Sequence, residues 1–174
     1  MPVDPLSRPK PLIDRVYAYV AYRVQSRPDS EDITSEVFER ALRYRSSYDP
    51  ARGEPVAWLI GIARRCIDDW RREQQSSHAD PDEWAHEGDH STSAIERIVI
   101  ADALGALDSR ERELIALRYG ADLSSRQIAQ LLEMQTNAVD VALHRARGRL
   151  KELLSTGEAG PPSAASSRPA QSSS

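Results

Sequence analysis

Apolar residues recur at steps of three and four along most of this chain, and this spacing restricts the fold more than any other sequence feature. In the first such segment the repeating positions are Ile13, Val16, Tyr17, Val20 and Val24. The same spacing returns near residues 33–42, 56–70, 95–107, 114–117, 128–132 and 139–154. It is the stripe of an amphipathic helix, and the sequence has neither strand-like alternation nor an internal repeat. The sequence therefore predicts an all-α fold.

Two polar stretches divide this helical pattern. Residues 75–93 lack helical periodicity and are rich in acids, which is typical of a flexible acidic linker. Beyond residue 154 the chain consists mostly of Ser, Ala, Pro and Gly, and cannot bury enough apolar surface to offset its ordering entropy. We therefore predict a small helical domain at 1–74, a second domain of four helices at 94–154, and a disordered tail at 155–174.

Short breaks and caps subdivide both domains. Pro28 and Asp29 interrupt the first apolar stripe, and Asp29 is the expected N-cap of the second helix. Residues 46–54 form a loop before the third helix. In the second domain Asp108 precedes Glu111 by three residues, the spacing of a capping box.

The distribution of charge along the chain is compatible with nucleic-acid binding, although the negative net charge is not. The formal net charge is −4, but residues 80–96 contain six acids and no Lys or Arg, so the remainder carries −4 + 6 = +2. Arginines cluster on both sides of that stretch. The distribution of charge matters more for binding than its sum.

Several classes of protein are disfavoured. No apolar run reaches the roughly 18–20 residues of a membrane span, and the N-terminus has no secretory pattern, so we expect a cytoplasmic protein. Cys66 is the only cysteine and fits a buried apolar position. The sequence has no phosphate-binding glycine loop or nucleophile motif, so we expect neither an enzyme nor a cofactor. His86 and His90 have metal-ligand spacing on a helix, but their segment is not helical in pattern, and we predict no metal site.

The segment Leu123–Leu150 has the pattern of a helix-turn-helix. A short helix is followed by a turn of about three residues and then a longer helix. In such a motif the start of the second helix enters the major groove, while later basic residues such as Arg145 and Arg147 meet phosphates. An ordinary helical hairpin within a bundle is the alternative interpretation of the same spacing.

Four motifs in order then resemble the extracytoplasmic-function (ECF) sigma factors, the small two-domain members of the bacterial sigma family. The motifs lie at residues 29–38, at 57–65 with 68–72, at 106–114 and at 143–147. The resemblance covers roughly Leu12 to Leu154 without the linker. It implies a transcription-initiation factor whose partners are core RNA polymerase and promoter DNA, with an anti-sigma factor as a further candidate, and no membrane.

The resemblance also implies three sets of site residues. The polymerase-binding helix carries Asp32, Ser35, Glu36, Glu39 and Arg40. The minus-ten and promoter-melting surface comprises Tyr48, Arg52, Trp58, Arg64, Arg65, Arg71 and Arg72. The minus-thirty-five surface of the helix-turn-helix comprises Arg126, Gln127, Thr136, Asn137, Asp140, Val141, His144, Arg145 and Arg147. In this arrangement the two domains act as separate grips, one for opened DNA and one for upstream duplex.

The recognition helix departs from the family pattern. Asp140, Val141 and Ala142 stand where a basic or polar run is common, and Glu133 replaces the usual glycine of the turn. An acid in the groove would repel phosphate or accept a hydrogen bond from cytosine. Two alternatives therefore remain open: a helix-turn-helix regulator that binds DNA without entering polymerase, and a sigma-like protein that binds polymerase without reading a promoter.

Overall fold

A computed structural model describes residues 4–76 and 92–158, and confirms the all-α prediction for them. The described elements are α1 (Pro9–Val24), α2 (Arg27–Arg43), α3 (Pro55–Ser76), α4 (Thr92–Ala106), α5 (Ser109–Ile115), α6 (Ser125–Leu132) and α7 (Thr136–Glu158). Two 3₁₀ turns, Arg45–Ser47 and Pro50–Arg52, lie between α2 and α3, and a π turn, Ala116–Gly120, extends α5. The predicted tail and most of the predicted linker, including His86 and His90, lie outside the described residues.

Helices α1, α2 and α3 form the first domain around the apolar stripes seen in the sequence. Val16, Val37 and Leu59 are fully buried at the centre of this bundle. Helix α2 begins earlier than expected, because Ser26 is its N-cap and accepts a hydrogen bond from the Asp29 amide. The prediction of Asp29 as N-cap was therefore wrong. Pro28 sits in the first helical turn, where the N–H it lacks has no partner to bond, so it opens the helix instead of breaking it.

Helices α4 to α7 form the second domain, and capping boxes fix the starts of two of them. Asp108 and Glu111 bond reciprocally at the start of α5, which confirms the predicted box. Ser124 and Gln127 do the same for α6. Each box satisfies two amides that the first helical turn leaves free.

The turn between α6 and α7 places Glu133 in a left-handed backbone conformation. Glu133 has φ 54° and ψ 45°, in the left-handed region where glycine is favoured. The conformation costs on the order of 1 kcal/mol for a residue with a side chain. Its amide donates to the Ala129 carbonyl, and the Met134 amide donates there too at 2.9 Å, so the turn closes α6 in hydrogen-bonded form.

The two domains pack against each other. One continuous cluster of buried residues runs from Val16 and Tyr19 on α1 to Leu114 and Leu117 in the second domain. Gly120 permits this approach, because a Cβ built there would lie 2.8 Å from the Tyr19 backbone nitrogen. The sequence pattern contains nothing that specifies this placement of the domains.

Candidate polymerase and nucleic-acid interfaces

The recognition helix α7 has one buried face and one free face. Val139, Leu143 and Ala146 are buried against the rest of the second domain. The predicted duplex-binding residues that are exposed are Arg126, Thr136, Asn137, Asp140, Val141, His144, Arg145 and Arg147. Val141 is apolar and keeps 45% of its surface exposed. The closed packing of the domains thus leaves the start of the recognition helix open to solvent.

Gln127 is the exception among the predicted duplex contacts. It is half-buried, and its side-chain oxygen accepts from the Ser124 amide at 2.9 Å. Its amide nitrogen donates to Glu54 of the first domain at 3.2 Å. In this arrangement Gln127 links the two domains, and both the oxygen and the nitrogen of its side-chain amide already have a hydrogen-bond partner.

An aromatic pair holds the loop between α2 and α3. The ring centroids of Tyr48 and Trp58 are 5.6 Å apart, with the planes tilted by 58°. The Tyr48 hydroxyl donates to the Gly53 carbonyl at 3.0 Å, and Gly53 has φ 145°, which a side chain would strain. Burial, followed by the charges of Glu54 and Asp49, raises the pKa of Tyr48 above its ordinary value, so the ring stays neutral.

A cavity of about 240 Å³ lies beside this aromatic pair. One wall is formed by Arg52 of the loop and Trp58 of α3, and the other by Gln130 and Leu131 of α6. The cavity has the kinds of groups that an unstacked base requires, namely a flat aromatic surface and a cation nearby. Helix α6 covers part of it in the described arrangement.

The predicted single-strand arginines differ in how free they are. Arg52 and Arg65 are exposed, and Arg72 is exposed but paired with Asp69 at 3.2 Å. Arg71 is half-buried, and burial together with the nearby Arg23 charge lowers its pKa below the ordinary value. The arginines of α3 therefore lie on two sides: Arg65 and Arg72 are exposed, while Arg71 lies near Arg23 of α1.

Arg64 is engaged by the second domain through a buried carboxylate, Glu113. Glu113 accepts from Arg64 Nε at 3.0 Å and from the Tyr19 hydroxyl at 3.1 Å, and lies 3.3 Å from an Arg23 nitrogen. We call these four residues the Glu113 cluster. Burial, and then the adjacent carboxylate, raises the pKa of Tyr19 well above its ordinary value, which keeps the hydroxyl proton available to Glu113.

Further bonds join the domains around this cluster. Arg15 donates to the carbonyls of Ala121 and Asp122 at 2.7 and 2.9 Å. Arg23 donates to the Ser109 carbonyl at 3.0 Å, and Gln25 to the Ala101 carbonyl at 2.8 Å.

The Glu113 cluster was missed by sequence reasoning, but it left a trace in the sequence. Arg23 follows Val16, Tyr19 and Val20 on the buried stripe of α1, and Glu113 of α5 shares a stripe with Leu117 of the π turn that extends it. A charge at such a position requires a buried partner of opposite sign. The sequence pattern thus indicated that each charge needs a buried partner, but not which residue that partner is.

The predicted polymerase-binding residues lie along one side of α2. Asp32, Ser35 and Glu39 are exposed, while Glu36 and Arg40 are half-buried. Arg40 bonds both Glu36 and, at 3.0 Å, Asp69 of α3. A groove of about 510 Å³ runs between the two helices at this point. This side of α2 is thus a charged surface whose side chains are held in place by ion pairs.

Membrane spans and metal sites are both absent from the described part of the chain. None of its helices is long and apolar enough to cross a membrane. None of its His, Cys, Asp and Glu side chains form a group that would hold a metal ion.

Comparison with known protein families identifies both halves. Residues 10–77 match Sigma-70 region 2, and residues 97–150 match Sigma-70, region 4. The ECF RNA polymerase sigma factor SigK of Mycobacterium sp. (strain KMS) is 30% identical over 148 residues, covering 80% of this chain and 75% of that protein. The ECF RNA polymerase sigma factor BldN of Streptomyces coelicolor is 30% identical over 149 residues, covering 81% of this chain and 56% of that protein.

Solved structures share the fold. The sigma factor RpoE of Bartonella quintana, in complex with the anti-sigma factor NepR, aligns with a TM-score of 0.65 at 19% identity, over 84% of this chain and 93% of that chain. CnrH, in complex with the cytosolic domain of CnrY, aligns with a TM-score of 0.63 at 24% identity, over 87% and 85%.

These matches define a promoter-directing subunit of RNA polymerase. The chain belongs to the ECF family of RNA polymerase sigma factors.

Proposed function

We propose that this sigma factor grips a promoter with two surfaces while α2 holds core RNA polymerase. The observation that carries the proposal is the free face of α7, where exposed polar side chains at its start are followed by Arg145 and Arg147. In a helix-turn-helix this order suits base edges first and phosphates next. Arg126 at the start of α6 adds a further cation on the same motif.

The minus-ten surface is proposed on the loop between α2 and α3 and on α3 itself. Tyr48 and Trp58 border the 240 Å³ cavity, and they would offer an unstacked base an aromatic surface once α6, which forms the other wall, has moved away. The surrounding residues Arg52, Arg64, Arg65, Arg71 and Arg72 would hold the backbone of the melted strand.

The polymerase surface is proposed on α2, at Asp32, Ser35, Glu36, Glu39 and Arg40. The ion pairs of Arg40 with Glu36 and Asp69 fix this side of the helix before a partner arrives. A surface that is already ordered loses little conformational entropy on binding.

Promoter binding requires the domains to separate. Elements centred near positions −10 and −35 are about 25 base pairs apart, on the order of 80 Å at ~3.4 Å per base pair. A compact body of about 140 residues has a radius of gyration of about 14 Å and is on the order of 40 Å across. Two domains in direct contact cannot reach both elements, so the described arrangement is the form that precedes DNA binding.

Further partners and location follow from the same proposal. The sigma factor RpoE of Bartonella quintana was solved with an anti-sigma factor, and we propose a partner of that kind here. We also propose that the protein acts in the cytoplasm and contributes no catalytic centre, since core polymerase supplies the chemistry.

Run-off transcription on genomic fragments tests the proposal. Core polymerase with this protein should yield template-specific transcripts that core polymerase alone does not. Asp32→Lys combined with Glu39→Lys on α2 should reduce both polymerase binding and transcription. Polymerase binding without any specific transcript would instead favour a sigma-like protein that does not read promoters.

A further inference from the structure

Asp140 is the one acid among the exposed, predicted DNA contacts of α7. It lies at the fifth position of the helix, on the exposed side next to Val141 and one turn before His144. Within the described residues its side chain takes part in no ion pair or hydrogen bond. Its carboxylate is therefore unpartnered on a surface whose other charged groups are Arg126, Arg145 and Arg147.

A carboxylate at this place has few favourable partners on DNA. Phosphates repel it, and so do the acceptors N7 and O6 of guanine and O4 of thymine. Adenine offers an amino group, but the N7 acceptor lies beside it. Cytosine offers N4 as a donor, and the rest of its own major-groove edge is the C5–H group, which is not an acceptor.

We infer that Asp140 reads a cytosine in the upstream promoter element, and that the adjacent Val141 favours a thymine methyl group beside it. Val141 projects an exposed apolar surface from the neighbouring position, and apolar contact is how the thymine methyl is read. This inference rests on the proposed promoter-binding function and adds the base preference of this chain. It also assigns base selection as the role of Asp140 and Val141, two residues that depart from the family pattern.

A promoter library with a randomised upstream element tests the assignment. Holoenzyme containing the unaltered protein should enrich cytosine at one position by about 5- to 150-fold, the range expected for one good base contact. Asp140→Asn should change the preference at that position to adenine, since Asn pairs with adenine N6 and N7. Asp140→Ala should abolish the preference there and leave other positions unchanged.

Asp102→Asn is the matched control, because Asp102 is an exposed acid on α4 of the same domain. It should leave every base preference as it was. A library profile that is the same for Asp140→Ala and the unaltered protein would overturn the inference while leaving the proposed function intact. Absence of library transcripts from the unaltered protein would remove both.

A second inference rests on independent contacts, those between the domains. The Glu113 cluster binds Arg64, α6 covers part of the cavity beside Trp58, and Gln127 is bonded to Glu54. Each of these contacts occupies a group to which we assign a role in DNA binding. We infer that the closed arrangement is autoinhibitory and that the apolar contacts around Gly120, together with the Glu113 cluster, hold it shut.

The contacts suit a reversible closure. Tyr19, Arg23 and Glu113 are buried and Arg64 is half-buried, and all four side chains hydrate well when separated. A buried ion pair costs desolvation on closing and recovers hydration on opening, so its net contribution is small. Apolar contacts around Gly120 supply the remainder, since α1 lies directly over this residue.

Gly120→Ala opens the closed form without touching any proposed DNA contact. The added Cβ would lie within 2.9 Å of the Tyr19 backbone, which cannot move aside as a side chain can. Small-angle scattering should show a larger radius of gyration. Free protein should bind a fluorescent single-stranded minus-ten oligonucleotide about tenfold more tightly, because apparent affinity scales with the open fraction.

Gly148→Ala is the matched control, since nothing lies within 4 Å of its added Cβ. Glu113→Gln, which keeps the shape but removes the charge, should give an intermediate opening. Helicity by circular dichroism verifies that each variant is folded. An open Gly120→Ala protein with unchanged oligonucleotide binding would overturn autoinhibition, and a protein that stays compact would overturn the role of this contact.

Discussion

Some single residues have a backbone conformation or a buried charge that the apolar pattern does not explain. Glu133 adopts a left-handed conformation where the family usually has glycine, and Glu113 is a carboxylate within an apolar stripe. Cys66 is the simpler case, because it is 1% exposed and fits the predicted role of a small apolar side chain. Burial raises the pKa of its thiol to about 11, with opposing effects from Arg40 and nearby acids.

The shifted pKa predicts how Cys66 responds to pH. The unfolded thiol ionises near its ordinary value of 9.0, and the folded thiol at about 11. The native state therefore holds its proton more tightly, and the stability contributed by this group is present below about pH 9 and is lost as pH rises towards 11. A disulfide-forming thiol reagent at pH 8 should label Cys66 only in denaturant, whereas rapid labelling of the native protein would contradict its burial.

At the scale of one element, α7 combines packing and recognition on opposite sides. Val139, Leu143 and Ala146 hold it in place, and this leaves the other side free over its first three turns. Arg145 lies on one flank of that free side and Arg147 on the other. A helix placed in the major groove has phosphates along both flanks.

Replacing both arginines should weaken DNA binding in a salt-dependent way. Arg145→Ala with Arg147→Ala should lower the affinity of holoenzyme for a promoter fragment and flatten the slope of log affinity against log salt. The slope should fall by about 0.9 for each phosphate that the variant no longer neutralises. Arg149→Ala with Lys151→Ala, later on the same helix, removes equal charge and should have the smaller effect. An unchanged slope in the first variant would mean that these arginines do not meet phosphate.

At the scale of the whole molecule, the two domains share one buried cluster. Val37 in α2 and Leu117 in the second domain belong to it, and both are fully buried. Shared burial couples the unfolding of the parts that share it. The described arrangement thus predicts one cooperative transition for a chain that has two family domains.

Val37→Asp tests this coupling. A buried charge without a partner costs several kcal/mol, so the variant should unfold at a lower temperature in one transition that includes both domains. Leu42→Asp is the control, since Leu42 lies on the same helix with 59% exposure and should change little. Calorimetry that resolves two separate transitions in the unaltered protein would contradict the shared core.

Much of the local structure was predictable because it depends on residues close in sequence. The three-and-four spacing predicted the helices, and the Asp108–Glu111 pair predicted one cap. The start of α2 was not predicted correctly, because Pro28 interrupts a helix in its interior but favours it in the first turn. Whether α2 had already begun at that residue depended on Ser26 rather than on the apolar pattern.

The sequence by itself determined the helices, the Asp108–Glu111 cap, the helix-turn-helix and the family, because each is set by spacings of a few residues or by short ordered motifs. Only the tertiary structure decided that Glu113 accepts from Tyr19 and Arg64, which lie 94 and 49 residues away along the chain. Periodicity predicts that a position faces inward but not what it meets there. The physical reason is that contacts between distant segments depend on how whole helices pack. Here that packing places the second domain against Arg64 of α3.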